Sequence, residues 1–388
     1  MALNTQTLNT QNVLAGVMSA LMACTGGAIM LINCAHIAGL NRSELISWFF
    51  IVYVVGGCLN VALSIRYQIP FAGAHSITAV AFLSTLVAQF TWNEVAGSFM
   101  MAGLLIVVLG LTGWFGKILD FIPKALIDAM LAGLILNYVV QIVPTLKAAP
   151  LVGGMAILGF FIAPKISRSI PPLLGVLVLG VIGLLISTDF PAIVPAAFSL
   201  PQWVSPHFTV NGLISIAIPM AVLILSNDLA VALAALKKNG YQPPVDKTLV
   251  MSGVGTAFVG LFGGHAVNIG GMMTAICSSE EAGPKESRVG AAIISGGLVA
   301  LFGLFAWKVI SIIELLPVTF ITLLSGFSLL SVLLNSLQSA FSDSAYRYSI
   351  LFAFVMAISN LSFLGISSPV WSLLIGMVTM KVLREGKA

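Results

Sequence analysis

The chain has 388 residues, of which 17 are Lys or Arg and 13 are Asp or Glu, for a net charge of +4. Only 8% of residues are charged, against roughly 25% in an ordinary soluble domain, while apolar residues reach 59% and the mean hydropathy is +1.08. So little charge cannot cover a water-facing surface of this size, which excludes a soluble enzyme, a nucleic-acid binder and a disordered scaffold and leaves a polytopic membrane protein.

A helix needs about 20 apolar residues to cross the hydrocarbon core. Taken in chain order, the hydropathy predicts spans at 12–35, 44–64, 68–89, 95–116, 121–143, 149–163, 170–188, 212–236, 247–262, 266–282, 289–311, 315–338, 346–362 and 366–383. The start, MALNTQTLNTQN, is polar and without basic residues, so it does not read as a cleavable leader. With both termini cytoplasmic, the inward connections and tails hold Arg66, Lys117, Lys124, Lys165, Arg168, Lys237, Lys238, Lys247, Lys285, Arg288, Arg347, Lys381, Arg384 and Lys387. The outward connections hold only Arg42, Lys147 and Lys308, which is the asymmetry of a protein oriented by its positive charges.

Segments 3 and 10 are interrupted. The first reads RYQIPFAGAHSITAVAFLSTLVAQF, where Pro70 and Gly73 stop a helix before about residue 75; the second reads GLFGGHAVNIGGMMTAICSSEEAG, with Gly263, Gly264, Gly270 and Gly271 around a β-like stretch. Each is expected to be a short strand followed by a half-helix. Irregular backbone at membrane depth is tolerated only where protein buries it or a watery cavity solvates it. The two segments hold equivalent places in two seven-span halves, 12–205 and 206–385, and seven is odd, so the second half is inverted. The expected fold is therefore an all-α integral membrane protein of fourteen transmembrane segments in two inverted repeats. The connection 189–211, with four prolines and no basic residue, reads as an external surface linker.

Most acidic residues fall near span ends. Asp228 is the exception, near the middle of segment 8 in AVLILSNDLAVALAA. An intramembrane acid is a functional candidate, here for carrying a proton; the alternative is a packing residue bonded to a neighbouring Ser or Asn. Asn227 points about 100° further round the helix. Asn268, between Gly264 and Gly270, either binds a ligand or bonds the freed backbone of the break. His75 and His265 lie one at each break, as ligand-binding or proton-relaying groups or as structural ties. Phe71 and Phe262 precede the breaks and can stack on a planar ligand or serve as core. Half-helices starting near Ser76 and Gly271 would aim free N–H groups at one midplane point, an anion site that needs no Lys or Arg. Asp128 reads as a helix-end ion pair with Lys124, Glu280 and Glu281 as a solvated loop with Lys285 and Arg288, His36 and His207 as interfacial, and Cys24, Cys34, Cys58 and Cys277 as small core residues. No motif for an enzyme, a cofactor or a metal emerges.

Three stretches carry a resemblance: PFAGAHSITAVAF at 70–82, LSNDLAVALAALKKNGYQPP at 225–244 and FGGHAVNIGGMMTAIC at 262–277. Together with the rest of the chain they resemble the benzoate:proton symporter family, within the wider nucleobase–ascorbate and uracil transporter fold. In the uracil-type carriers segment 10 holds a Glu-Asn-Ile-Gly run; here Asn268, Ile269 and Gly270 match it, but Val267 stands where the Glu would be, and the segment-8 Glu falls at Asn227. Two carboxylates that would accept a nucleobase's N–H groups are thus missing, which suits an anionic ligand. The resemblance implies proton-coupled symport of an aromatic carboxylate between a core domain (12–116 and 212–311) and a gate domain (121–188 and 315–383), in an inner-membrane homodimer. The residue reading and the resemblance together give the expected site: Phe71, His75, Ser76, Asn227, Asn268, Ile269, Gly270 and Gly271 for substrate, with Asp228 and His265 for the proton.

Overall fold

The computed structural model describes residues 9–115, 117, 122–167, 170–188, 190, 197–361, 363 and 366–386. Arg168, Lys387, the polar start 1–8 and linker residues 189 and 191–196 lie outside these. Apart from one isolated bridge between Phe363 and Ile366, the described residues are helical or irregular.

We number the helices α1 (Thr10–Ile37), α2 (Arg42–Tyr67), α3 (Ile77–Leu83), α4 (Trp92–Thr112), α5 (Lys124–Ala148), α6 (Pro150–Ile166), α7 (Pro172–Ser187), α8 (Val210–Lys238), α9 (Val245–Gly260), α10 (Gly271–Ser278), α11 (Arg288–Leu304), α12 (Val318–Phe341), α13 (Arg347–Ser359) and α14 (Ser368–Val382). Ala306–Ile313 continues α11 beyond Phe305. Among the described residues, seven helices are long and apolar enough to cross a membrane: α1, α2, α4, α5, α8, α11 with its lead-in from Lys285, and α12. The sequence sets many of the ends. Asn9, Asn41 and Thr91 form capping boxes with Asn12, Glu44 and Glu94, and proline occupies the first turn of α6 and α7, where its missing N–H is not needed. Gln68, at φ +53°, and Pro70 end α2.

The helices pack in a repeating set of pairs: α2 on α11, α4 on α9, α6 on α7, α13 on α14, and α5 on α12. Small residues let the backbones close up. A Cβ on Gly57 would meet the Gly296 carbonyl of α11, one on Gly103 would lie 2.7 Å from the Gly253 carbonyl of α9, and Gly159 of α6 faces Gly175 of α7. Close backbone approach of this kind is how helices associate where water supplies no drive.

Two opposite rims are tied by hydrogen bonds. On one, the linker runs over the starts of α2 and α4 and the end of α9: Gln202 N–H donates to Ser47 Oγ (2.7 Å), His207 N–H to the Asn93 carbonyl (2.8 Å) and Val204 N–H to the Leu261 carbonyl (2.9 Å). On the other, the start of α1, the ends of α8 and α10 and the start of α11 meet: Asn239 Nδ2 donates to Ser278 Oγ (2.9 Å), Tyr241 Oη to the Lys285 carbonyl (3.1 Å) and Asn12 Nδ2 to the Ser287 carbonyl (3.4 Å).

Three expectations change. Arg288 is buried rather than part of a solvated loop; its guanidinium donates to the carbonyls of Ser278 (2.9 Å) and Gly283 (2.8 Å), capping the C-terminus of α10. Glu280 and Glu281 are exposed as expected. Asp128 is paired with Lys124 but is itself 1% exposed, and Ser339 of α12 also donates to it (2.5 Å), so it joins two long helices rather than decorating one end. Cys58 is exposed, because Gly56 and Gly57 take the inward face of α2.

Candidate functional site

Segments 3 and 10 do break, and they cross. Residues 69–75 and 264–270 are extended and antiparallel, joined by two main-chain bonds, Gly270 N–H to the Ala72 carbonyl (2.9 Å) and Asn268 N–H to the Ala74 carbonyl (3.2 Å). Gly73 is the point of closest approach, since a Cβ there would lie 2.8 Å from Ile269 Cα. The expected short strands do not form, for a physical reason: the remaining backbone groups are claimed by side chains from neighbouring helices. Ser64 of α2 accepts from Phe71 N–H (3.1 Å) and donates to its carbonyl (2.9 Å). Thr256 of α9 does the same for Val267, at 3.2 and 3.3 Å. Thr274 of α10 donates to the Ala72 carbonyl (2.7 Å), and Asn60 of α2 to the Asn268 carbonyl (3.2 Å). At membrane depth every such group must find a partner inside the protein.

The half-helices start at this crossing. Ser76 caps α3, its Oγ accepting from Ala79 N–H at 3.1 Å. Gly270 precedes α10, and no side chain caps it. A free helix N-terminus is therefore offered by α10, while α3 has largely capped its own.

Each crossing segment lies against a helix with a widened turn. In α1 this π-turn is Ala23–Gly27, and a Cβ on Gly27 would lie 2.7 Å from His75 Nε2. In α8, which has a first such turn at Leu213–Ala217, it is the second, Ile224–Leu229, which carries Asn227 and Asp228. Such single turns recur at functional positions. The fully buried Asn268 donates its Nδ2 to Asp228 Oδ2 at 3.0 Å. Ser76 is the carboxylate's second side-chain neighbour. Asn268 Oδ1 and Asn227 Nδ2 are buried without a hydrogen-bond partner.

Both histidines are buried and their tautomers follow from their partners. Trp48 Nε1–H, a donor only, points at His265 Nδ1 (3.1 Å), so His265 donates from Nε2 to the Ser76 carbonyl (3.2 Å). Tyr53 spends its proton on the Ala23 carbonyl (3.0 Å), so His75 donates from Nε2 to Tyr53 Oη (3.0 Å) and its Nδ1 is an unpartnered lone pair. The two rings meet edge-on, 5.0 Å between centroids.

The expected residues thus divide. Ser76, Asp228, Asn268, Gly270 and Gly271 come together at the crossing with the histidines beside them, while Asn227 shares the widened turn with Asp228. Ile269 and Phe71 are fully buried, Phe71 with its ring 6.3 Å from Tyr67, and Phe262 packs on Trp203 (5.8 Å) and Phe258 (5.6 Å), so these aromatic rings belong to packing. Gly271 is a packing glycine too, since a Cβ would lie 2.8 Å from Val231 Cβ of α8. Sequence reasoning missed Trp48, Tyr53, Asn60, Ser64 and Thr256. Asn60, an amide in the middle of an apolar span, is the one signal that could have been followed.

The family profile described as "Benzoate membrane transport protein" matches residues 6–382. The chain is 30% identical to the Escherichia coli (strain K12) "Inner membrane protein YdcO", over 96% of this chain and 95% of that one. It is 26% identical to the Acinetobacter baylyi "Benzoate membrane transport protein", over 97% and 95%. Among solved structures it superimposes on the transmembrane domain of the cyanobacterial bicarbonate transporter BicA with a TM-score of 0.59 at 19% identity, covering 95% of this chain and 96% of that one. The murine solute carrier 26 family member A9 anion transporter, in an inward-facing state, gives 0.61 at 12% identity, covering 98% and 69%.

Proposed function

The chain belongs to the benzoate membrane transport protein family, a multi-pass membrane transporter and not an enzyme, and from that premise we propose that it carries benzoate or a similar aromatic carboxylate together with a proton, by alternating access. The observation that carries this reading is the Asn268–Asp228 pair at the crossing, beside the uncapped N-terminus of α10.

A carboxylate needs compensation for leaving water. Among the described residues no Lys or Arg lies at the crossing, so the compensation comes from backbone N–H groups and neutral side chains. The first N–H groups of α10 and its dipole favour negative charge at that point, and Arg288 at the other end of α10 stabilises the same dipole. The Asn227 amide, next to Asp228 in the chain, is a buried donor without a partner. Asp228 is the group that suits the proton. An ionised Asp228 repels a bound carboxylate and a neutral one does not, so each of proton and anion favours the other. His265 is less suited, since both ring nitrogens are already engaged.

The packing supports two repeats of seven. Exchanging each helix for the one seven places on turns the α2–α11 pair into α9–α4, turns α6–α7 into α13–α14, and keeps α5–α12. The widened turn of α1 matches the second of the two in α8, at Ile224–Leu229, while the first, at Leu213–Ala217, has no counterpart in α1. The two hydrogen-bonded rims fit a chain that threads back and forth between them. In this reading α1–α4 and α8–α11 form the core and the remaining helices the gate, in an inner-membrane homodimer with both termini in the cytoplasm.

A second reading, an inorganic-anion carrier or an anion channel on the same fold, draws on the bicarbonate and anion transporters it superimposes on. Benzoate counterflow in proteoliposomes separates them. Saturable exchange that requires benzoate on both sides supports the carrier; flux that ignores trans benzoate, or responds only to inorganic anions, contradicts it.

A further inference from the structure

We propose that Asn268 reads the protonation state of Asp228 by turning its amide over, and so converts the site from one that repels a carboxylate to one that accepts it. This deepens the reading above and rests on Asp228 as the proton group.

The argument begins with what each group can donate. An ionised carboxylate only accepts, so the neighbouring amide must turn its NH2 toward it, and Asn268 Nδ2 stands 3.0 Å from Asp228 Oδ2. That orientation leaves Oδ1 as the free end, buried and without a partner. An orphaned acceptor in a dry place is costly, and beside an arriving anion it is also repulsive. When Asp228 holds a proton, its O–H becomes a donor, and accepting that bond through Oδ1 satisfies the atom that had no partner, which favours the reversed arrangement. The amide then accepts through Oδ1 and turns its two N–H donors to the side that Oδ1 had occupied.

Amide O and N are nearly equal in size, so the turn needs no rearrangement of packing. The rest of Asn268 cannot move easily: its N–H is held by the Ala74 carbonyl and its own carbonyl by Asn60. The side-chain torsion is the one adjustable element. Few other titratable groups lie nearby. The widened turn of α8 packs against α3 and α10. The first has no titratable residue and the second only Cys277. In the crossing segments His265 has both ring nitrogens engaged, while His75, whose Nδ1 is free, is the one other titratable group beside the site. On α8 itself Lys237 and Lys238 lie about two and a half turns further on. Protonation therefore precedes anion binding, and the departing anion leaves the amide free to turn back.

The test is benzoate binding to the purified full-length protein across a pH series. In the native protein, affinity is highest at acid pH. Asn268→Ala should weaken acid-pH binding by about ten- to a hundredfold, the worth of a hydrogen bond to a charged group, and alter alkaline binding far less, because there the native amide contributes no donor. Asn268→Ser, whose hydroxyl can also reverse, should keep part of the acid-to-alkaline ratio. If Asn268→Ala weakens binding by one factor at every pH while Asp228→Asn flattens the profile, Asn268 is a fixed contact and the switch is overturned alone. If Asp228→Asn keeps the native profile, the proton assignment falls and the switch with it.

Discussion

Asn268 lies in the break before α10 and Asp228 in α8, and the 3.0 Å bond between them joins that extended segment to the widened turn of α8. Any movement of α8 is thereby felt at the N-terminus of α10. Their coupling is read in a double-mutant cycle of Asp228→Asn and Asn268→Ala on benzoate affinity at acid pH. The expected result is marked non-additivity, as for residues in direct contact.

The crossing itself is a packing constraint. A Cβ on Gly73 would press on Ile269 Cα and on the backbone of Asn268 and Gly270. Gly73→Ala should therefore cost about 1–3 kcal/mol, as overpacking does, seen as a lowered Tm with weakened binding. Gly270→Ala meets first the flexible end of Met273 and should lower Tm less, which makes it the better probe of backbone access to the ligand.

The side-chain ties can be ranked. Thr256→Val is close in shape but leaves both the N–H and the carbonyl of Val267 without that partner, whereas after Ser64→Ala the Phe71 N–H still has the Ile69 carbonyl at 2.8 Å. An orphaned buried polar group costs about 1–3 kcal/mol, so Thr256→Val should lower Tm more than Ser64→Ala. The opposite order would show that Val267 finds other partners.

Much of the site is legible in the sequence because it breaks local rules. Pro70, Gly73 and the glycines from 263 to 271 announce the two breaks, and Asp228 stands out as an acid far from any span end. The rest is not legible because its cause is remote. A Ser or Thr in an apolar span has the same local signature whether it packs or, like Ser64 and Thr256, satisfies a backbone 7 or 11 residues away in another element. The widened turns leave no mark in hydropathy, and the burial of Arg288 depends on carbonyls left free by the end of α10. The packing of Phe71, fully buried, and of Phe262, half-buried against Trp203 and Phe258, is equally invisible in their place in the chain.

Outside the spans, Glu385 ties the end of α14 to the start of α13. Burial pushes its carboxyl up, but bonds from Ser349 Oγ and the N–H groups of Tyr348 and Ser349 outweigh this and hold it below the usual range. A depressed folded value means that the tie is present above the ordinary carboxylate range and lost as pH falls through the folded value. The protection of the Tyr348 and Ser349 amides, relative to their intrinsic exchange at each pH, should fall in acid, and Glu385→Gln should remove that fall.

Orientation is checked with single cysteines at positions 384 and 203 in a chain without its native cysteines. Labelling from opposite sides of the membrane is expected, the first from the cytoplasm. Labelling from one side would contradict the inverted arrangement.

The most direct test of proton-coupled carboxylate transport is concentrative benzoate uptake into proteoliposomes driven only by an inward proton gradient. The native protein should accumulate benzoate above its equilibrium level, while Asp228→Asn should retain benzoate exchange and accumulate none. Equal accumulation by Asp228→Asn, or none by the native protein under a maintained gradient, would contradict it.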